Sequence, residues 1–209
     1  MTPATPRPAA SLILLRRGGR HRQGGVEVLL VRRSPEASFM PGVWVFPGGV
    51  VEADDAGPEV ERGGTAEERQ ELAHRACAAR ELEEEAGIEL PAGADLQPWS
   101  RWITPEAAPV RFDTRFYVAL APPHSPPRPD GAETTEAAWI SPAEALERHH
   151  GGELALVFPT IKHLESLLPY SSSDEVLAAA PDRQLEPVVP RVVGRGDSAR
   201  VVLPGEPGY

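Results

Sequence analysis

Three carboxylates, Glu81, Glu84 and Glu85, stand three and four residues apart in the run Arg80-Glu81-Leu82-Glu83-Glu84-Glu85-Ala86-Gly87-Ile88. On a helix those spacings place them on one face, within about 100° of each other. Like charges so arranged repel by about a few tenths of a kcal/mol per pair. A sequence that concentrates them either leaves them in water or neutralises them with a cation. An isolated E-x-x-E-E is most simply a solvated acidic face. The upstream Phe46-Pro47-Gly48-Gly49 changes that reading. Two glycines let backbone approach a ligand closely. A glycine-rich loop feeding a carboxylate-bearing helix suits a hard divalent ion and a phosphate. Mg²⁺ takes oxygen ligands, uses few carboxylates and is shared with substrate phosphates. Arg80, one turn before Glu84, can brace a carboxylate by a charge-assisted hydrogen bond.

The elements that must position these residues follow from pattern. The apolar run 11–16, the basic glycine-rich stretch 17–25 and the β-branched run 26–33 predict a hairpin. Residues 41–49 read as a loop enclosing a short strand. The acidic, glycine-containing stretch 53–64 has no periodicity and is expected to be an exposed loop. Thr65-Ala-Glu-Glu68 has capping-box form. It predicts a helix over 65–86 that ends at Gly87 in a left-handed cap. Leu72, Ala76, Ala79, Leu82 and Ala86 span about 120° and form its expected core face, an arc that also contains Glu83. Strands are predicted at 99–103, 112–120 and 137–140, with a proline-rich loop at 121–130. Ser141 caps a helix over 142–149 that has Pro142 at its first position. A further helix spans 160–168. The tail carries a helical patch at 173–180 and β-like runs at 188–193 and 200–203. Strands mixed with helices give an α/β or α+β layered fold.

Composition narrows the function classes. The chain has 209 residues, the length of one domain with trimmings. Its 31 acidic and 21 basic residues give a net charge of −10, which argues against a nucleic-acid-binding surface. A single cysteine excludes an intramolecular disulfide and a multi-cysteine zinc site. No apolar run approaches the length of a membrane span. Residues 1–10 are Pro/Thr/Ala-rich, lack the apolar core of a signal peptide and are expected to be a disordered leader. The expected location is the cytoplasm.

Arg80-Glu-Leu-Glu-Glu-Glu-Ala-Gly-Ile88 resembles the R-E-U-x-E-E-x-G-U end of the Nudix box, where U is aliphatic; the full box reads G-x5-E-x7-R-E-U-x-E-E-x-G-U. The preceding Phe-Pro-Gly-Gly is also similar to that family, as is Glu133-x-x-Glu136-x-x-Trp139-Ile-Ser-Pro142 leading into a helix. The resemblance covers about residues 10–170. It implies an α/β fold, a Nudix-type α/β/α sandwich with a mixed β-sheet. The domain would span 11–170, with 53–64 as an inserted loop and 171–209 as a C-terminal extension packed on the same domain. It implies a metal-dependent hydrolase that cleaves a nucleoside diphosphate linked to another group, with Mg²⁺ or Mn²⁺ as cofactor. The implied metal ligands are Gly48, through its carbonyl, Glu81, Glu84, Glu85 and Glu133. The implied catalytic residues are Arg80, Glu81, Glu84 and Glu85, with the base left open among the glutamates. Glu133 is equally readable as a loop carboxylate after Asp130-Gly131.

The first half of the box departs from the pattern. The sixth residue after Gly49 is Asp55 instead of Glu, and 24 residues separate it from Arg80 where the pattern has 7. Asp55 either replaces the box glutamate or that glutamate is absent. The insertion, with Trp102-Ile-Thr-Pro105, Arg111-Phe-Asp-Thr-Arg-Phe116 and the Val202–Tyr209 tail, resembles a larger Nudix subgroup that includes coenzyme A and acyl-CoA diphosphatases. Leu29-Leu-Val-Arg-Arg-Ser34 partly matches a coenzyme A signature, with Val31 where that signature has Thr and no arginine near Ser38 or Phe39.

Substrate contacts are expected from Arg33, Phe46, Gly49 and Arg115. Arg32 and Arg33 point to opposite faces of a strand, so at most one meets substrate. Trp44 and Phe46 offer rings to a base, against the commoner fate of buried packing. Arg111 reads as structural and Arg115 as either structural or phosphate-binding. Cys77 reads as a buried, inert thiol. The expected partner is a small-molecule diphosphate, with neither nucleic acid nor membrane involved; a homodimer is compatible with all of this. The expected products from coenzyme A are 3′,5′-ADP and 4′-phosphopantetheine. Two alternatives stay open. One is an ADP-ribose, NADH or nucleotide-sanitising pyrophosphatase. The other is a non-catalytic nucleotide-binding module, which would be expected to have lost box glutamates.

Overall fold

The computed structural model describes residues 3–17, 25–37, 39–57, 64–194 and 200–209. The turn expected at 17–25 and the insertion at 53–64 therefore lie partly outside the described residues. Leu12 to Leu15 are all buried, and alternate residues enter different cores. A strand that is apolar on both faces must be covered on both. This one, β1 (Arg7–Arg16), is the centre of a seven-stranded mixed sheet. It runs parallel to β6 (Phe112–Leu120) from Arg7↔Phe112 to Leu15↔Leu120. Beyond β6 lies β5 (Gln97–Ile103) as an edge strand, antiparallel to it. On its other side β1 meets β2 (Glu27–Arg33) only at Leu15↔Val28 and Arg16↔Glu27. β1 then turns to pair with β4 (Gly48–Val50), while β2 takes β3 (Trp44–Val45) and β7 (Thr134–Ile140).

A long helix, α1 (Ala66–Ala86), covers one face, packing Cys77, Ala78, Leu82 and Ala86 on Leu12, Leu14, Leu29, Val31 and Tyr117. The other face is covered by α2 (Pro142–His150), α3 (Phe158–Leu167) and α4 (Ser173–Ala179), over Ile13, Leu15, Val28, Leu30 and Trp99. The expected α/β/α sandwich is what forms. Burying each large apolar side chain of β1 contributes about 1.5–3 kcal/mol.

Three boundaries differ from expectation. The sheet begins at Arg7, so four residues of the expected leader are strand; Ala9 and Ala10 are buried between β4 and β6, and the Pro8 carbonyl accepts from Val51 N–H. The 53–64 segment is not all exposed loop, because Ala53–Asp55 form a 3-10 turn with Asp55 buried. β7 begins at Thr134, three residues before the expected start. The tail packs on the same domain: Val188 exchanges backbone hydrogen bonds with Arg101 and Ile103, and Arg183 lies 3.9 Å over the Trp99 ring. A small hairpin of β8 (Arg191–Val193) and β9 (Arg200–Val202) ends the fold. No described helix is long and apolar enough to cross a membrane.

Candidate active site

The helix that carries the carboxylates is set by its ends. Thr65 accepts a hydrogen bond from Glu68 N–H (3.2 Å), and Glu68 accepts one from Thr65 N–H (2.7 Å). Gly87 closes the helix at φ 63°, donating to the Glu83 carbonyl at 2.8 Å. The face between those ends is rotated from the expected one. Leu72 is 42% exposed and Ala76 is exposed, whereas Ala73, Cys77, Ala78, Leu82 and Ala86 are buried together with Glu81 and Glu85. Glu83, the anomaly of the expected arc, points to solvent. The glycine pair accounts for the rotation. β4 lies so close under α1 that a Cβ on Gly49 would overlap the Glu81 carboxylate, and so close to β1 that one on Gly48 would overlap the Ala10 carbonyl. The helix therefore turns its carboxylates toward a strand that only glycine can form.

The three glutamates are graded from inside to outside. Glu85 is deepest: its Oε2 accepts from Gly48 N–H at 3.0 Å, and Thr134 Oγ1 donates to its carbonyl at 2.5 Å. Burial pushes the Glu85 carboxyl up to about 8, with the Gly48 hydrogen bond opposing and the negative charges of Glu81 and Glu133 adding to the rise. Glu81 is also shifted upward, mainly by burial, with Glu84 and Glu133 adding to it against Arg80. Glu84 lies at the mouth, its side chain 58% exposed. Glu133 stands just before β7, within electrostatic reach of both buried glutamates, on a turn held by Asp130 accepting from the Glu133 and Thr134 N–H groups.

Arg80 connects the group. Its Nη1 lies 2.9 Å from both Glu81 and Glu84, its Nη2 reaches the Val50 carbonyl, and Nε and Nη2 clasp Asp55 at 3.0 and 3.1 Å. Asp55 is held below the usual carboxylate range: burial opposes ionisation, and hydrogen bonds from Arg80 and Glu52 N–H outweigh it. Asp55 stands as the acidic partner of Arg80, although 24 residues separate the two.

The remaining expected residues divide. Arg33 pairs across the sheet with Thr134, the residue after Glu133, and its Nε donates to the Phe39 carbonyl, while Arg32 pairs with Glu136. Gly48 and Gly49 lie directly beneath the glutamates. Phe46 is not a substrate contact but a core residue, its ring 6.1 Å from the His163 ring on the opposite face of the sheet. Arg115 is not brought to the carboxylates; it pairs with Glu71 at 2.6 Å and Gln70 at 3.0 Å, ten residues and so about 15 Å down the helix axis from Glu81. Arg111 is structural, donating to the Thr104 and Ala4 carbonyls. Cys77 is buried, its thiol pushed up to about 12 by burial and by the Asp55 and Glu81 charges, and so is unreactive.

Sequence reasoning passed over His163. It is fully buried between Phe116, Trp102 and Phe46, donates from Nδ1 to the Pro159 carbonyl at 2.6 Å and accepts from Ser100 at Nε2. Its only sequence signal is a histidine on the apolar face of a helix.

Among the described residues no group of three or more His, Cys, Asp or Glu side chains is arranged to hold an ion as it stands. Arg80 bridges Glu81 and Glu84 instead. The donor chemistry nonetheless fits a hard divalent cation, because buried carboxylates raising one another's proton affinity are what such an ion relieves.

Comparison with known proteins bears on the same elements. The acyl-coenzyme A diphosphatase NUDT19 of Gallus gallus is 29% identical over 88% of this chain and 72% of its own length. The Homo sapiens protein of the same name is 27% identical with the same coverage. A crystal structure of a NUDIX hydrolase from Alicyclobacillus acidocaldarius superposes with a TM-score of 0.71 at 28% identity, covering 84% of this chain and 96% of that one. A NUDIX domain profile matches residues 5–158. That match runs from the strand under the glycine pair, through α1 and Glu133, to the first residue of α3, and the chain accordingly belongs to the Nudix family of hydrolases.

Proposed function

We propose that this Nudix hydrolase cleaves the diphosphate of coenzyme A or an acyl-CoA, in the presence of Mg²⁺ or Mn²⁺, to 3′,5′-ADP and 4′-phosphopantetheine or its acyl form. The observation that carries the reading is the buried Glu81–Glu85 pair with Glu133, pressed against a strand that a Cβ would block and braced by Arg80. So much like charge gathered in one place is costly unless positive charge arrives with the substrate or beside it. The coenzyme A end of the proposal is supported by the two similar acyl-coenzyme A diphosphatases. It is also supported by the motifs 102–105 and 111–116.

In the reaction, water adds to one phosphorus, the bridging P–O bond breaks, the water proton passes to a base, and the second phosphate departs. Divalent ions, when bound, neutralise phosphate charge and lower the pKa of the attacking water. Glu81, Glu84, Glu85 and Glu133 are the residues that would hold them. Gly48 N–H fixes the rotamer of Glu85, and Arg80 fixes those of Glu81 and Glu84. Arg33, across the sheet from Thr134 and so next to Glu133, is the cation that would meet a phosphate.

The test is kcat/KM for coenzyme A, an acyl-CoA, ADP-ribose and NADH under one metal condition, with products identified by mass. Coenzyme A forms should lead. A tenfold lead for ADP-ribose or NADH over both, about 1.4 kcal/mol in transition-state binding, would overturn the substrate assignment.

A further inference from the structure

Glu85 is the last residue but one of α1, where main-chain carbonyls run out of partners within the helix. The fold supplies a donor from another element. Thr134, the first residue of β7, is fully buried, and its Oγ1 lies 2.5 Å from the Glu85 carbonyl and 2.9 Å from Asp130 Oδ1. A carbonyl only accepts, so the hydroxyl is the donor. The next carbonyl, that of Ala86, accepts from Arg128 N–H at 2.6 Å. The segment leading into β7 therefore caps the end of the carboxylate helix. That segment is itself held. Asp130 accepts from the N–H groups of Glu133 (2.9 Å) and Thr134 (2.8 Å), and Gly131 N–H donates to the Thr134 carbonyl at 2.9 Å. Ser34 N–H, just past β2, donates to the Glu133 carbonyl at 2.7 Å.

The far end of Glu85 is held by a different strand. Its carboxylate accepts from Gly48 N–H at 3.0 Å. The residue before that glycine is fixed by β1, because the Pro47 carbonyl accepts from Ser11 Oγ at 3.0 Å and from Leu12 N–H at 2.9 Å. Glu85 thus spans from β7 at its main chain to β4 at its side chain. We propose that Thr134 is a positioning residue: its hydroxyl fixes the last turn of α1 on β7 and so holds the Glu85 carboxylate at Gly48. The effect on turnover rests on the function proposed above; the clamp itself rests on the hydrogen bonds. Valine would match the shape and strand preference of Thr134, so the hydroxyl is what the position uses. A buried carbonyl that loses its donor is costly, and the helix end would shift to find another. A shift of about 1 Å at a reacting centre lowers turnover by as much as about a hundredfold.

The test compares Thr134→Val with Thr134→Ser, which restores the hydroxyl. Two quantities are read: kcat and KM for coenzyme A, and hydrogen exchange of the Gly48 amide by NMR in metal-free protein without substrate. In Thr134→Val, kcat should fall about tenfold or more with a smaller change in KM. Exchange of the Gly48 amide should quicken about tenfold, because its acceptor is no longer held in place. Thr134→Ser should recover most of both. Ser100→Ala controls for stability: it removes a hydroxyl bonded to His163 on the opposite face of the sheet and should move neither reading. Asp130→Ala loosens the same turn from an exposed position and should shift both readings in the same direction, which keeps the test decisive if Thr134→Val fails to fold. Unchanged Gly48 exchange in Thr134→Val, or in Asp130→Ala should it stand in, would overturn the clamp and leave the proposed function standing. A loss of kcat matched by Ser100→Ala would do the same. A wild type that hydrolyses no diphosphate would overturn the proposed function, and Gly48 exchange would still decide the clamp.

Discussion

The two faces of the sheet surround their buried ionisable groups differently: one crowds carboxylates around an arginine, the other isolates a histidine. Under α1 the interior holds Glu81, Glu85 and Asp55 around Arg80, with burial first and like charge after it driving the Glu81 and Glu85 carboxyls upward. Under α2–α4 the sheet buries His163 with no charged partner: burial drives it down to about 4, and both ring nitrogens are satisfied inside an aromatic cage. Burying a charge is costly, and a group normally shifts its proton affinity and neutralises. The His163 side shows that outcome. Glu85, shifted to about 8, shows it too; the α1 side differs in crowding its carboxylates together, an arrangement a bound cation would return to the charged form.

The contrast can be broken most strongly at the carboxylates. Glu85→Gln and Glu84→Gln keep shape and remove charge. Each should lower kcat at least a hundredfold, since charge stabilisation at such a centre is worth several kcal/mol. Steady-state kinetics at saturating substrate checks this, and near-wild-type turnover would remove the site.

Next in size is an acid effect on the opposite face. Unfolded histidine takes its proton near 6.5 and folded His163 near 4, so the stability it confers is present above about 6.5 and is lost as pH falls to about 4. The full loss is about 3 kcal/mol at 1.36 kcal/mol per unit. Urea unfolding at pH 7 and pH 4 should show it in the wild type and not in His163→Phe.

Asp55→Asn probes the brace. Breaking a buried ion pair costs about 3–5 kcal/mol, reduced here to about 2 because Arg80 is part-exposed. Stability by denaturant and a fall in kcat exceeding any rise in KM would place Asp55 in positioning. Smallest is Phe46→Leu, which should cost under about 1.5 kcal/mol and leave KM unchanged, since the ring packs on the His163 side.

What could be read from sequence was local. The Thr65–Glu68 capping box, the Gly87 terminator and the Ser141 cap each depend on residues a few positions apart, and all form as expected. The buried face of α1 could not be read from periodicity, because Leu72 and Ala76 are exposed and Glu81 and Glu85 are buried by contact with Gly48 and Gly49, more than thirty residues away. Asp55 was visible only as a misplaced box residue; its pairing spans the insertion. Arg115 and Phe46 had the right residue types for a substrate contact and the wrong neighbours, Glu71 and His163, which no spacing rule connects to them.

The demand for a cation under α1 is tested most directly by thermal unfolding without substrate. Glu85 titrates near 8 in the folded chain against an ordinary 4.5, so the stability it contributes is present below about 4.5 and is lost as pH rises to about 8. Without divalent ion the melting temperature should therefore carry a decline over that range which Glu85→Gln lacks. An ion that binds only the folded state stabilises it by mass action. Saturating Mn²⁺ at pH 8 should raise the melting temperature of the wild type and leave that of Glu85→Gln nearly unmoved. No rise in the wild type, or an equal rise in both proteins, would contradict a metal centre built on these carboxylates.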